Sequence, residues 1–124
     1  MPALADPHYA DEVKRLAATI AGEGADLNEM ACRIAEPQID FVRARQARQH
    51  FLANYDAYVA ANEALLSSPA DQALIPKLRN ILADYFARTI RILDRYERRA
   101  LSRRKRAIRE FDVALRRRRK KNRM

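Results

Sequence analysis

The chain has 124 residues, two of them glycine and one cysteine, and 25 Lys and Arg outnumber 16 Asp and Glu for a net charge of +9. That length suits one domain with a modest core, while two glycines leave no material for a glycine-rich phosphate loop and exclude the common nucleotide-binding folds. The lone Cys32 excludes an intramolecular disulfide framework, and a composition rich in Ala, Leu and Arg but poor in Val and Thr predicts an all-α protein.

In chain order, the segment before Pro7 holds Asp6 and no basic residue, so it does not read as a signal peptide. A first helix is predicted from about Pro7 to Ala21, with Asp6 as N-cap and Pro7 at the first helical position, where a missing N–H costs nothing. Tyr9, Val13, Leu16, Ala17 and Ile20 recur at helical spacing and form its apolar stripe. Gly22-Glu-Gly24 ends it. Asp26 followed by Glu29 resembles a capping box and starts a second helix near Leu27 that continues towards Leu66. Pro37 should kink or restart this helix. Beyond it, Phe41, Ala44, Phe51, Tyr55, Tyr58 and Val59 hold the apolar face, and Arg45 and Arg48 interrupt it. Those two arginines are expected to lay their stems on the surface, to pair with acids of a neighbouring helix or to extend the cationic face into a groove.

Leu66-Ser-Ser-Pro-Ala-Asp71 is the clearest break, with Ser68 placed as an N-cap, Pro69 after it and Asp71 three residues on. A last helix is predicted from about Lys77 to at least Leu115, burying Leu78, Leu82, Tyr85, Phe86, Ile90, Leu93, Tyr96, Leu101, Ile108, Phe111 and Leu115. The predicted fold is therefore an antiparallel hairpin of two long kinked helices, with the short N-terminal helix packed against it. Residues 1–115 form the helical domain, and 116–124 a basic tail that is disordered or extends the helix. Centred near residue 70, such a hairpin sets position 40 opposite about 100 and position 26 opposite about 114.

Charge divides unequally along this plan. Residues 1–94 hold ten basic and thirteen acidic residues, a net of −3, whereas residues 95–124 hold fifteen basic and three acidic, a net of +12. Residues 1–40 alone carry eight acids and three bases, so the hairpin brings an acidic end beside the cationic one. Exposed pairs are worth only about 0–1 kcal/mol each and orient helix ends without deciding the fold.

The excess cations define the candidate site: Arg95, Arg98, Arg99, Arg103, Arg104, Lys105, Arg106 and Arg109 on the last helix, then Arg116, Arg117, Arg118, Arg119, Lys120 and Lys121. Guanidinium groups pair in a fork with phosphate oxygens. Neutralising several phosphates gives affinity without reading sequence, and that affinity falls with salt. The expected partner is nucleic acid, DNA or RNA without sequence preference, bound by a non-enzymatic accessory protein. The rival is a protein-interaction or homo-oligomerisation module with no nucleic-acid role, since a helical hairpin leaves edges that another copy can cover. A membrane partner is disfavoured by the lack of tryptophan anchors and of any apolar run near the roughly 20 residues a span needs.

Catalysis, metals and cofactors find no motif. His8 and His50 lie far apart and outside any metal or nucleophile pattern, and both are expected to be exposed. Cys32 beside Met30 and Ile34 reads as a packing residue. Glu36 and Asp40, one turn apart, are expected to pair with Arg33 or Arg43 and not to hold a cation. A free thiol suits the cytoplasm.

The string YERRALSRRKRAIREFD, Tyr96–Asp112, resembles a C-terminal signature of small uncharacterised alphaproteobacterial proteins, and RIAEPQIDFVRARQAR, Arg33–Arg48, looks like their central helix. The resemblance spans about a quarter of the chain. It implies a bacterial cytoplasmic origin and carries over no functional residue.

Overall fold

The computed structural model describes residues 7–22 and 24–123. Among these, every regular element is helical: α1 is Pro7–Ala21, a 3-10 turn covers Ala25–Leu27, α2 is Asn28–Ala64, α3 is Pro69–Gln72 and α4 is Ile75–Asn122. The two long helices, 37 and 48 residues, pack as an antiparallel hairpin closed by α3. Asp6, expected to cap α1, lies outside the described residues. At the other end of α1, Gly22 takes φ +60° and donates its N–H to the Ala18 carbonyl at 3.0 Å. That left-handed C′ position suits glycine because it has no Cβ.

Two sequence expectations need correction, and a third is narrowed. The Asp26–Glu29 capping box does not form: Asp26 sits in the 3-10 turn with its carboxylate 3.5 Å from Arg118, and Glu29 pairs with Arg33. Long-range and i,i+4 arginines outcompete the backbone donors. Of the kink or restart expected at Pro37, the restart does not occur, since α2 runs through it. Only one backbone N–H is lost there, and Pro37 is itself buried. On α4, Tyr85, Tyr96 and Ile108 are exposed, because the apolar sector of that helix is wider than the seam it shares with α2.

The chain forms two compact units. The first comprises the described residues up to Arg43 and from Tyr96 onward. Its core joins Tyr9, Val13 and Ala17 of α1 to Leu27, to Ala31, Ile34, Ala35 and Ile39 of α2, and to Ala107 and Phe111 of α4. Positions 9, 13 and 17 are one turn apart and so stand on one face of α1. Fully enclosed Ala17, Ala31 and Ala35 let the backbones approach closely. Cys32 packs at the edge of this core.

Polar ties fasten the same unit. The Tyr9 phenol is hydrogen-bonded to the Asp40 carboxylate, which also accepts from Arg103 at 2.7 Å. Arg43 lies over the Tyr9 ring at 5.0 Å and reaches Glu12 at 3.3 Å. Asp40 therefore serves α1 and α4 instead of the expected Arg33 or Arg43. Arg33 meets Glu29 and Glu110.

The second unit, Ala44–Arg95, is a two-helix hairpin with its turn. Phe51 stacks on Phe86 at 5.3 Å, Tyr55 tilts over the same ring at 4.3 Å, and Phe51 meets Tyr85 edge-on at 5.9 Å. Arg48 pairs with Asp94 at 2.7 Å, one of the roles expected for it, and Glu63 binds Arg79 in a fork. The turn is capped as the sequence indicates, Ser68 Oγ accepting the Asp71 N–H at 3.1 Å with Pro69 opening α3.

Candidate polyanion-binding surface

Within the first unit, α4 turns inward at intervals of three and four residues. Ala100, Arg104, Ala107, Phe111 and Ala114 are buried or half-buried. Every other basic position in this stretch is thereby left outside. Arg98, Arg99, Arg103, Lys105, Arg106 and Arg109 are exposed, as are Arg116, Arg117, Arg118, Arg119, Lys120 and Lys121. Arg95 is exposed too, but it belongs to the second unit.

Three of the fourteen predicted cations are engaged. Arg103 pairs with Asp40 and Arg118 with Asp26. Arg104 packs its guanidinium over the Phe41 ring at 5.5 Å and donates to Gln38. Arg104 is thus a packing residue of the seam. Asp40 faces Arg103 and Asp26 faces Arg118, a few residues beyond the rungs expected from a turn at 70, because the reversal extends through α3 to Ile75. The other eleven, Arg95, Arg98, Arg99, Lys105, Arg106, Arg109, Arg116, Arg117, Arg119, Lys120 and Lys121, take part in no ion pair among the described residues.

The tail after Leu115 continues as helix to Asn122. Arg119, Lys120 and Lys121 fall in its last turn, where unpaired carbonyls give a partial negative charge that favours cations. Arg123, just past the run that sequence reading singled out, is exposed as well. The signal that marks it is its place two positions after an unbroken basic string, with Asn122 between.

Spacing arranges these cations along the helix. Arg98, Lys105, Arg109, Arg116 and Arg119 follow one another at intervals of three, four or seven residues and so share one outward stripe. From Arg98 to Lys121 a helix is about 35 Å long at 1.5 Å per residue. That is about one turn of a B-form duplex, 34–36 Å. Beside the stripe lies an open groove of about 690 Å³, floored by Leu27, Met30, Val113 and Ala114 and edged by Arg33, Arg109, Arg117, Arg118, Asp26 and Glu110. The first unit as a whole has 18 basic and 11 acidic residues, a net of +7.

Elsewhere the molecule offers little reactive chemistry. His8 and His50 are exposed, as expected. No group of three or more His, Cys, Asp or Glu among the described residues is placed to hold a metal ion. No helix among the described residues is long and apolar enough to cross a membrane.

Comparison with known proteins returned no matching family model, no matching curated protein and no matching solved structure.

Proposed function

We propose that this chain binds the sugar-phosphate backbone of nucleic acid, without sequence preference, through the outward stripe of α4. The observation that carries the reading is the set of eleven cations without an ion-pair partner among the described residues, ten of them on one helix from Arg98 onward. Nearby carboxylates do not neutralise them: Asp40, Asp26, Glu12, Glu29 and Glu110 already serve Arg103, Arg118, Arg43 and Arg33. Holding so many like charges on one helix costs self-repulsion, which a phosphate-bearing ligand would relieve with release of its counterions. Fixed helical geometry adds register, because the cations need not be ordered at the moment of binding.

Fluorescence anisotropy with duplex DNA, single-stranded RNA and heparin, run side by side, tests this. If the stripe contacts about five phosphates, affinity should fall about 500-fold between 50 and 200 mM salt, with a log–log slope near −4.5. Replacing Arg98, Lys105, Arg109 and Arg116 together by Gln should flatten that slope by about 3–4. Helicity should be preserved, since none of the four is buried. These substitutions are preferable to deleting residues 95–124, which would also remove Ala107 and Phe111 from the core. Salt-insensitive binding, or an unchanged slope in the variant, would overturn the reading. Capture by heparin alone would reduce it to generic polyanion attraction.

A further inference from the structure

The second unit exposes what a stable hairpin would ordinarily bury. Among its described residues only Ala44 and Leu82 are buried, while Tyr58, Leu65, Leu74, Ile81, Tyr85 and Ile92 are between 48 and 78 % exposed. Ile81, Tyr85 and Ile92 stand at i, i+4 and i+11 and form one stripe on α4. Tyr58 and Phe51 of α2 line, with Tyr85, a single cavity of about 180 Å³. The two helices therefore present their apolar residues on the same side of the hairpin. On the α2 side charge is sparse: between Arg48 and Glu63 the one charged residue is Asp56, in a chain that is 33 % charged, whereas on α4 the exposed Arg88 shares the stripe with Ile81, Tyr85 and Ile92. Such depletion of charge with enrichment in Tyr and Phe on α2 is the composition of an interface centre, and a lone Arg among aromatic and aliphatic side chains on α4 is compatible with one.

We infer that this face is covered by a second copy of the same chain, two hairpins closing into a four-helix bundle. Three observations select that occupant. Unit Ala44–Arg95 holds seven basic and five acidic residues, a net of +2, so two copies meet there with little repulsion. The first unit, at +7, repels its own kind. Size agrees as well. The 21 residues of α2 from Ala44 and the 21 of α4 up to Arg95 each extend about 30 Å, and two helices side by side are about 20 Å across. That footprint, enlarged by side-chain relief, matches the roughly 800 Å² per partner of a standard interface. Finally, an apolar helical hairpin is self-complementary: one patch used twice about a two-fold axis closes the assembly and leaves no further edge. The inference does not rest on nucleic-acid binding.

Sedimentation equilibrium of the full chain, nuclease-treated and in both 0.15 and 1 M NaCl, is the test. A dimer at least as tight in high salt is expected, because apolar contact is not weakened by screening. The Ile81→Glu/Ile92→Glu double variant should dimerise at least 100-fold more weakly. Both side chains are more than half exposed, so the helicity read by circular dichroism should persist. Val113→Glu, at an exposed apolar position of the first unit, should dimerise like wild type. A wild-type chain that is monomeric at every concentration up to about 1 mM would overturn the inference, even if a different protein were found on the face. So would a double variant as dimeric as wild type, or a Val113→Glu chain impaired to the same degree.

Discussion

Tyr9 shows how one polar group can order three helices. Its ring is buried against α2 under the Arg43 guanidinium, and its phenol is hydrogen-bonded to Asp40, which is also held by Arg103. Burial first, then the hydrogen bond and charge of Asp40, push the phenol well above its ordinary value of 10.0. The sign follows directly. Below pH 10 both folded and unfolded chains keep the proton, and the stabilisation is complete. Above it the unfolded chain ionises while the folded one cannot, so stability is lost as pH rises. Tyr9→Phe should cost about 1 kcal/mol near neutrality, read as a lower urea midpoint. The gap between the two chains should narrow as pH rises above about 10, and a constant gap would mean that the phenol proton contributes nothing. Gly24 works differently: it is buried, and a Cβ there would stand 2.5 Å from the Arg118 guanidinium. Its lack of a side chain is what lets Arg118 approach Asp26.

At the level of elements, capping and termination are local chemistry, and most were readable from spacing. Ser68, Pro69 and Asp71 fall where the structure puts the cap, the first residue and the third. Ser68→Ala should lower stability by about 1 kcal/mol, and Ser68→Asp, which keeps an acceptor, should restore most of it in a denaturant titration. Equal stability of all three chains would show that the turn closes without its cap. Asp26 and Glu29 had the right spacing for a cap and did not become one, because distant arginines claimed both carboxylates. Alternation of apolar and basic residues marked α4 as a helix through Leu115. Its continuation to Asn122 was less legible, since six consecutive cations repel one another and only the last-turn dipole and the Asp26–Arg118 pair offset them.

For the whole molecule the governing quantity is charge. At +9 the chain repels itself, and several of its ion pairs lie at the periphery, with Arg33, Arg79 and Arg103 side chains more than half exposed. Such pairs lose little when screened. Raising NaCl from 10 to 150 mM shortens the Debye length from about 30 to about 8 Å. The Tm of the unliganded protein should therefore rise by a few degrees, as followed by circular dichroism at 222 nm. A falling Tm would mean that the ion pairs outweigh the repulsion.

The all-helical class, the two reversals and the concentration of cations in the last thirty residues were determined by sequence, because each depends on composition or on residues within a turn or two of one another. Which of those cations are spoken for was settled only by tertiary structure. Arg103, Arg104 and Arg118 look like their neighbours along the chain, and they differ because residues 63, 66 and 92 positions away in sequence, Asp40, Gln38 and Asp26, stand beside them once the helices pack. The exposed side of Ala44–Arg95 was hidden for the same reason. An apolar stripe in sequence does not tell whether another helix of the same chain covers it, and here the structure leaves Ile81, Tyr85 and Ile92 facing solvent.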